Sequence, residues 1–342
     1  MDPLKTNRVG STSLEVPQLG FGTAPLGDMI RTMSQQQSWE TLSAAWDAGI
    51  RFFDSAPWYG TGLSEQRLGH FLNRQSRDAF AVSTKVGRVL KRPHDVSAPP
   101  PEQMMWQGCL PFRVHFDYSH DGVLRSYEDS MQRMGLNRID ALVIHDLDHY
   151  YHADQEGVVE RFQELESGGG FAALQSLKDA GEIAAIGAGI NHTGMIPQFL
   201  ERFEMDFFLV AMPYTLLDQD ALDEELPRCG ERGVSVVIGA VFSSGILATG
   251  VADDAQYGYA DAGESVINKT RRIQEVCERH DVPLGAAALQ FPLLHPAVVS
   301  VIPGADRPEL ISVNQSWIRW EIPGQLWTEL KDEGLLRSDT PV

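Results

Sequence analysis

Eight times along this chain a short, continuously apolar run is followed by an amphipathic segment, and this alternation limits the fold more than any other feature. The runs lie within VPQLGFGTAPLG (16–27), IRFFDSA (50–56), AFAVSTKVG (79–87), IDALVIHDLD (139–148), IAAIGAGI (183–190), MDFFLVAMPY (205–214), VSVVIGAVF (234–242) and VVSVIPGA (298–305). They are rich in Val, Ile, Phe and Ala, as strands of a parallel sheet covered on both faces are. Helices are expected between them, at SQQQSWETLSAAWDAG (34–49), LSEQRLGHFLN (63–73), DGVLRSYEDSMQRMG (121–135) and GGFAALQSLKDAG (169–181). Four more follow at MIPQFLERF (195–203), LDEELPRCGERG (222–233), NKTRRIQEVCERHD (268–281) and RPELISVNQS (307–316). Ser34 and Gln37 have the spacing of a capping box, and Gly49 stands where a C-terminal cap belongs.

Eight strand–helix units in series predict an α/β chain folded as a single (β/α)8 TIM barrel. An open doubly wound sheet is the other arrangement of such units. No Pro/Ser/Gly-rich linker divides the chain, which favours one domain over residues 1–342 with its core at about 8–320. The opening KTNRVGSTSLEVPQLG (5–20) has room for a small N-terminal hairpin. Long loops follow strand three (88–120) and strand seven (243–267). In a barrel, loops after strands form the catalytic face, so both are candidate substrate walls.

Composition removes several function classes. The formal net charge of −19 disfavours general binding to nucleic acid or to an anionic membrane. No run of eighteen apolar residues is present, and MDPLKTNRVG lacks the apolar core of a signal peptide. The three cysteines, Cys109, Cys229 and Cys277, are odd in number and far apart, which fits a reduced cytoplasm. A cytoplasmic monomer or small homo-oligomer acting on a small molecule is the expectation.

Polar residues interrupt the C-terminal ends of three successive runs. Strand two ends at Asp54, with Tyr59 just beyond, strand three at Lys85, and strand four at His145. In a barrel these ends converge on one mouth. A free tyrosine, with its pKa near 10, is a poor proton carrier at neutral pH, and a nearby ammonium stabilises the phenolate. Asp54 is expected to hold Lys85, Lys85 to tune Tyr59, and His145 to orient a substrate oxygen. Such a group suits proton exchange on a carbonyl or alcohol oxygen while hydride moves on carbon. Taken singly, each residue has an ordinary reading as packing or surface; their occurrence at successive strand ends is the signal.

FFDSAPWYGTGLSEQRLG (52–69), STKVG (83–87), VIHD (143–146) and VIPGADRPELISVN (301–314) resemble the aldo-keto reductases. The resemblance covers about residues 8–320. It implies a (β/α)8 barrel using NAD(P)H, with a catalytic tetrad at Asp54, Tyr59, Lys85 and His145. GTAPLG, FFDSAPWYGTGLSE and GAVFSSGILATG are similar to the branch that oxidises D-threo-aldoses (L-fucose) and pyridoxal. Cofactor contacts are implied at Gly22, Thr23 and Asp54, at Phe242, Ser243, Ser244, Gly245 and Leu247, and at Ile302, Gly304, Ala305, Asp306, Arg307 and Asn314. Phe242 is the candidate to stack on the nicotinamide. The start of the last helix is an expected anion site.

The chain departs from the family pattern in two places. NADP-preferring relatives carry Lys-Ser after Ile-Pro and an Arg six residues past that Lys; here the positions are Gly304, Ala305 and Leu310. Asp306 adds a negative charge that opposes a 2′-phosphate and accepts from a ribose hydroxyl, while Arg307 is within reach of a phosphate. NAD is therefore the expected cofactor, with NADP second. Relatives also carry Ser-Asn after strand five and Gln in strand six, where this chain has Gly189, Ile190 and Ala211. Asn191 is the candidate for the missing nicotinamide contact.

The expected reaction is oxidation of the C1 hemiacetal of an aldose to a lactone, with Tyr59 as base. Trp58, Trp106, Phe112, His115 and Phe116 are candidate pocket walls. Pyridoxal oxidation to its 4-lactone, general aldehyde reduction, and a nucleotide-sensing barrel without turnover are the alternatives. HDLDHYYHAD (145–154) has histidines at metal-ligand spacing, but it leaves a strand and reads more simply as a polar loop, so no metal is expected. GAGINHTG misses the spacing of a dinucleotide glycine motif.

Overall fold

Alternation within short strands decides which side chains meet at the mouth of this barrel. The computed structural model describes residues 1–29, 31–94, 105–152, 154–252, 255–258 and 260–342. Its parallel strands are β1 (Phe21–Gly22), β2 (Phe52–Asp54), β3 (Ala81–Val86), β4 (Ala141–His145), β5 (Ala185–Ile190), β6 (Phe207–Ala211), β7 (Ser235–Gly239) and β8 (Val298–Val301). They pair in chain order. Parallel bridges Leu19–Val301 and Gly22–Gly304 join the first strand to the last and close the (β/α)8 barrel.

Phe52, Ala141, Val143, Ala185, Phe207, Leu209 and Val237 form the inner cluster, while Phe53, Val82, Leu142, Ile144, Phe208 and Val236 belong to the larger outer one. Neighbours along a strand thus alternate between barrel interior and helix layer. The same alternation continues the inner rows to Asp54, Lys85 and His145, one at the C-terminal end of each of β2, β3 and β4. Their backbones are in register: Asp54 pairs with Ser83, Lys85 with Val143, and His145 with Gly189. The interior is tight, since a Cβ on Gly187 would lie 2.6 Å from the Phe207 ring. The expected hairpin forms from Thr6–Arg8 and Glu15–Pro17. Its Val9, Leu14 and Val16 join the inner cluster and plug the N-terminal end.

Helix Gln35–Asp47 starts at the expected Ser34, whose side chain accepts from the Gln37 N–H, but the Gln37 amide donates to the Asp306 carbonyl at 2.8 Å, so half of the capping box is seen; Gly49 follows the helix end at φ +86°. The first apolar run yields only two barrel residues, because Glu15–Pro17 is drawn into the hairpin and the chain turns after Gly22. Strand four stops at His145, as expected, and Asp146 directly after it adopts a left-handed φ of +48°. Among the described residues four α-helices fall outside the eight expected: Gln155–Leu165, Leu284–Gln290, Gly324–Asp332 and the single turn Ile246–Thr249. The first buries Val158, Phe162 and Leu165, an apolar stripe at i, i+4 and i+7 in an otherwise polar stretch, whereas the second is buried all round and shows no amphipathic period. The long loops carry hairpins, Arg88–Lys91 with Arg113–Phe116 after β3 and Gln256–Tyr257 with Ala260–Asp261 after β7. No helix among the described residues is long and apolar enough to cross a membrane.

Candidate active site

The three inward polar residues open onto a cavity of about 490 Å³ at the C-terminal mouth, together with Tyr59. Tyr59 arrives from the loop after β2. That loop packs directly on the loop after β1, where a Cβ on Gly60 (φ +64°) would lie 2.5 Å from the Gly27 carbonyl oxygen. Thr23 ties the same two loops, its hydroxyl donating to the Asp54 carbonyl at 2.9 Å and accepting from Ser64 at 2.8 Å.

Lys85 is the hub. Its Nζ donates to Asp54 Oδ2 at 2.6 Å, to the Ser55 carbonyl at 2.8 Å and to the Tyr59 hydroxyl at 3.1 Å. The second oxygen of Asp54 accepts from the Ser83 hydroxyl at 2.7 Å. Both ions are buried, so neither could stand there without the other. The His145 ring centre lies 6.2 Å from that of Tyr59, and its Nδ1 is buried without a protein partner. Burial pushes the His145 pKa well below its usual value, and the Arg88 and Lys85 cations push it further the same way. The ring is therefore neutral at physiological pH.

Most of the expected cofactor positions border the same cavity. Gly22 and Asp54 lie on one side; Ile302, Gly304, Ala305, Asp306, Arg307 and Asn314 form another wall. Phe242, Ser244 and Gly245 form a third, with Phe242 edge-on to Trp317 at 5.7 Å. Thr23, Ser243 and Leu247 are fully buried and do not border it. Two glycines make room for a close backbone approach, since a Cβ on Gly22 would lie 2.7 Å from the Ile302 carbonyl oxygen and one on Gly304 2.8 Å from Pro25. Helix Pro308–Ile318 begins at this wall, but Pro308 has no N–H and the Leu310 N–H bonds the Arg307 carbonyl at 3.2 Å, so its first turn is a poorer anion site than expected. The three walls and the two glycines fit a dinucleotide.

Asn191 borders the cavity, but its Nδ2 donates to Asp146 at 2.9 Å and to Asp148 at 3.3 Å. Its side-chain oxygen is what remains for a carboxamide. Among the candidate substrate walls, Trp58 and Trp106 line the cavity, with Trp106 5.6 Å from the Tyr59 ring. Phe112, His115 and Phe116 do not line it; Phe116 packs on His152 at 4.5 Å. Arg88, Asp146 and Tyr151 stand at the site without having been singled out for it from the sequence. The charged residue directly after His145 was the one available signal.

A closed eight-stranded barrel with Asp, Tyr, Lys and His assembled at its C-terminal mouth agrees with the sequence comparison, in which residues 18–332 match the aldo/keto reductase family. The chain belongs to that family. Its members are NAD(P)-dependent oxidoreductases acting on a CH–OH or aldehyde group, and this chain is one of them. Pyridoxal 4-dehydrogenase from Microbacterium luteolum is 42% identical over 96% of this chain and 97% of its own length. D-threo-aldose 1-dehydrogenase from a Pseudomonas species is 38% identical over 95% and 96%. Among solved structures, the holo form of an aldo-keto reductase from Bacillus halodurans superposes with a TM-score of 0.75, covering 98% of both chains at 22% identity. That likeness supports the fold.

Proposed function

We propose that the chain dehydrogenates a cyclic hemiacetal to a lactone, with an aldose as substrate and NAD as cofactor. The observation that carries this reading is the Lys85 ammonium set 3.1 Å from the Tyr59 hydroxyl and 2.6 Å from Asp54 inside one cavity. The ammonium stabilises negative charge on the phenol oxygen, so Tyr59 can accept a proton at neutral pH. Asp54 holds the ammonium charged and in place. The neutral His145 ring has one N–H to give to the same substrate oxygen. As Tyr59 takes the hemiacetal hydroxyl proton, the oxygen's electron pair forms the lactone carbonyl and the C1 hydrogen departs as hydride. The nicotinamide, when bound, supplies the hydride acceptor. Trp58 offers an apolar surface that suits a sugar ring, and Trp106, buried between Trp58 and Tyr59, backs it and keeps water from the reacting carbon.

The preference for NAD rests on Asp306. Its carboxylate stands at the cavity rim, 2.9 Å from Arg31 and 2.9 Å from Arg307. A 2′-phosphate entering there meets a carboxylate that already engages both guanidinium groups, whereas a ribose hydroxyl can donate to it.

Pyridoxal is the second reading, favoured by the 42% identity to pyridoxal 4-dehydrogenase. Its cyclic hemiacetal would use the same four residues. The test is NADH formation by purified protein with L-fucose, D-arabinose, L-galactose or pyridoxal, each with NAD and with NADP. Fast turnover of an aldose with NAD supports the proposal; turnover confined to pyridoxal transfers it to the second reading, and none on any hemiacetal removes both.

A further inference from the structure

Beside His145 the cavity wall carries an ionic group that proton transfer does not use. Arg88, the second residue after β3, is 1% exposed, and its Nη2 donates to Asp146 Oδ2 at 2.6 Å. Asp146 follows His145 directly. Its left-handed backbone (φ +48°) is costly for a residue with a side chain and is kept where the surroundings fix it. The Asp146 side chain reaches the cavity and there accepts at Oδ1 from Asn191 at 2.9 Å. Trp58, Phe116 and Tyr151 cover the guanidinium, at 4.7, 5.0 and 4.3 Å from their ring centres. Burial pushes the Asp146 carboxyl up and Arg88 draws it back down.

A buried ion pair is a poor source of stability, because desolvation offsets most of its attraction. This one adjoins the reacting centre, with Asp146 Oδ2 3.2 Å from His145 Nε2. A carboxylate has about four lone-pair positions. Arg88 takes one on Oδ2, whose other side faces His145, and Asn191 takes one on Oδ1, so Oδ1 keeps one for a ligand. A substrate oxygen held by His145 would bring the neighbouring carbon's substituent against Asp146. A carboxylate at that position welcomes a hydroxyl donor and opposes an apolar group or an anion.

We infer that Asp146, fixed by Arg88 and Asn191, is a specificity-determining residue that accepts a hydrogen bond from a hydroxyl on the carbon next to the reacting one. The substrate class is then α-hydroxyaldehydes and their cyclic hemiacetals. This deepens the aldose reading and rests on it, because pyridoxal has no hydroxyl on the carbon adjoining its reacting centre.

The test compares 2-hydroxypropanal with propanal in NADH-dependent reduction by wild type, Asp146→Asn and Asp146→Ala. Wild type should favour the hydroxylated aldehyde in kcat/KM by about 10-fold or more, the effect of one hydrogen bond to a charged acceptor. That ratio should fall towards unity in the alanine variant and partly in the asparagine one. A merely structural role would slow both aldehydes alike and leave the ratio unmoved. An unchanged ratio in both variants, or a wild type indifferent to the hydroxyl, overturns the inference. Asp146→Asn keeps the side-chain shape should Asp146→Ala fail to fold. Binding of α-hydroxy-γ-butyrolactone against γ-butyrolactone, followed by fluorescence of NADH bound to wild type, makes the comparison without turnover. Equal affinities overturn the inference. Tighter hydroxylactone binding with no oxidation of any sugar sustains it and counts against the dehydrogenase reading alone.

Discussion

Lys85 and Asp54 form a salt bridge of 2.6 Å in which the side chains are 2% and 1% exposed. Lys85→Met leaves that carboxylate buried with only the Ser83 hydroxyl on its other oxygen. The expected cost is about 3–5 kcal/mol, the usual result of breaking a buried pair from one side. Adding Asp54→Asn should restore much of the stability, because a neutral amide needs no counter-ion, but none of the turnover. Urea unfolding and NADH formation measured on both variants separate the two effects. A single Lys85→Met variant of full stability and full turnover would end the tuning role.

Tyr59→Phe removes one oxygen and leaves the ring between Lys85 and Trp106. If Tyr59 carries the proton, turnover should fall by about 10²–10⁴, the range of a positioned acid–base group. NADH binding, read by fluorescence, should change little. Comparable loss of both would make Tyr59 a cofactor-binding or packing residue instead.

The barrel and its tetrad were legible because both depend on periodicity. Continuous apolar runs identify buried parallel strands, and a polar residue ending such a run at an inward position must lie at the mouth. Lys85 and His145 follow from that rule alone. Arg88 and Asp146 do not. Asp146 sits where the strand breaks into a left-handed turn, which the run VIHDLD does not announce. Arg88 opens a hairpin whose partner strand, Arg113–Phe116, lies more than twenty residues further on. Phe112, His115 and Phe116 illustrate the converse: aromatic loop composition suggested pocket walls, but none of the three lines the described cavity, and Phe116 packs on Arg88, Tyr118 and His152 instead. Residues 95–104 of the same loop lie outside the described residues.

Asp306→Ser should raise the use of NADP relative to NAD by about tenfold, because one carboxylate is lost and Arg31 and Arg307 are released to meet a 2′-phosphate. The ratio of kcat/KM values for the two cofactors is the measurement. An unaltered ratio would place cofactor choice elsewhere along the groove.

Cys229 and Cys277 are fully buried, and burial pushes each thiol up to about 12. The thiolate is the reactive form, so neither should be alkylated in the folded protein. Iodoacetamide labelling with mass spectrometry should modify Cys109 alone until denaturant is added. Rapid labelling of Cys229 or Cys277 in buffer would mean that their helices open readily.

His152 links the site to acid stability. Its Nε2 lies 3.1 Å from the Tyr118 hydroxyl, which itself donates to the His145 carbonyl at 2.7 Å. That leaves the imidazole N–H as the donor to Tyr118, a bond the neutral ring can make. Burial, with Arg161 and Arg88 next in weight, lowers the His152 pKa from 6.5 to about 4. Between these values the unfolded chain binds the proton and the folded one does not. Stability due to this residue is therefore present above pH 6.5 and is lost as pH falls towards about 4. His145 acts in the same direction. The urea midpoint of wild type should drop across this window, with His152 supplying on the order of 1–3 kcal/mol. In His152→Gln, whose amide can still donate to Tyr118, the slope between pH 6.5 and 4 should be shallower, while stability at pH 7.5 changes less. Parallel pH profiles for the two proteins would show that His152 titrates alike in the folded and unfolded states, which its contacts with Tyr118 and Phe116 oppose.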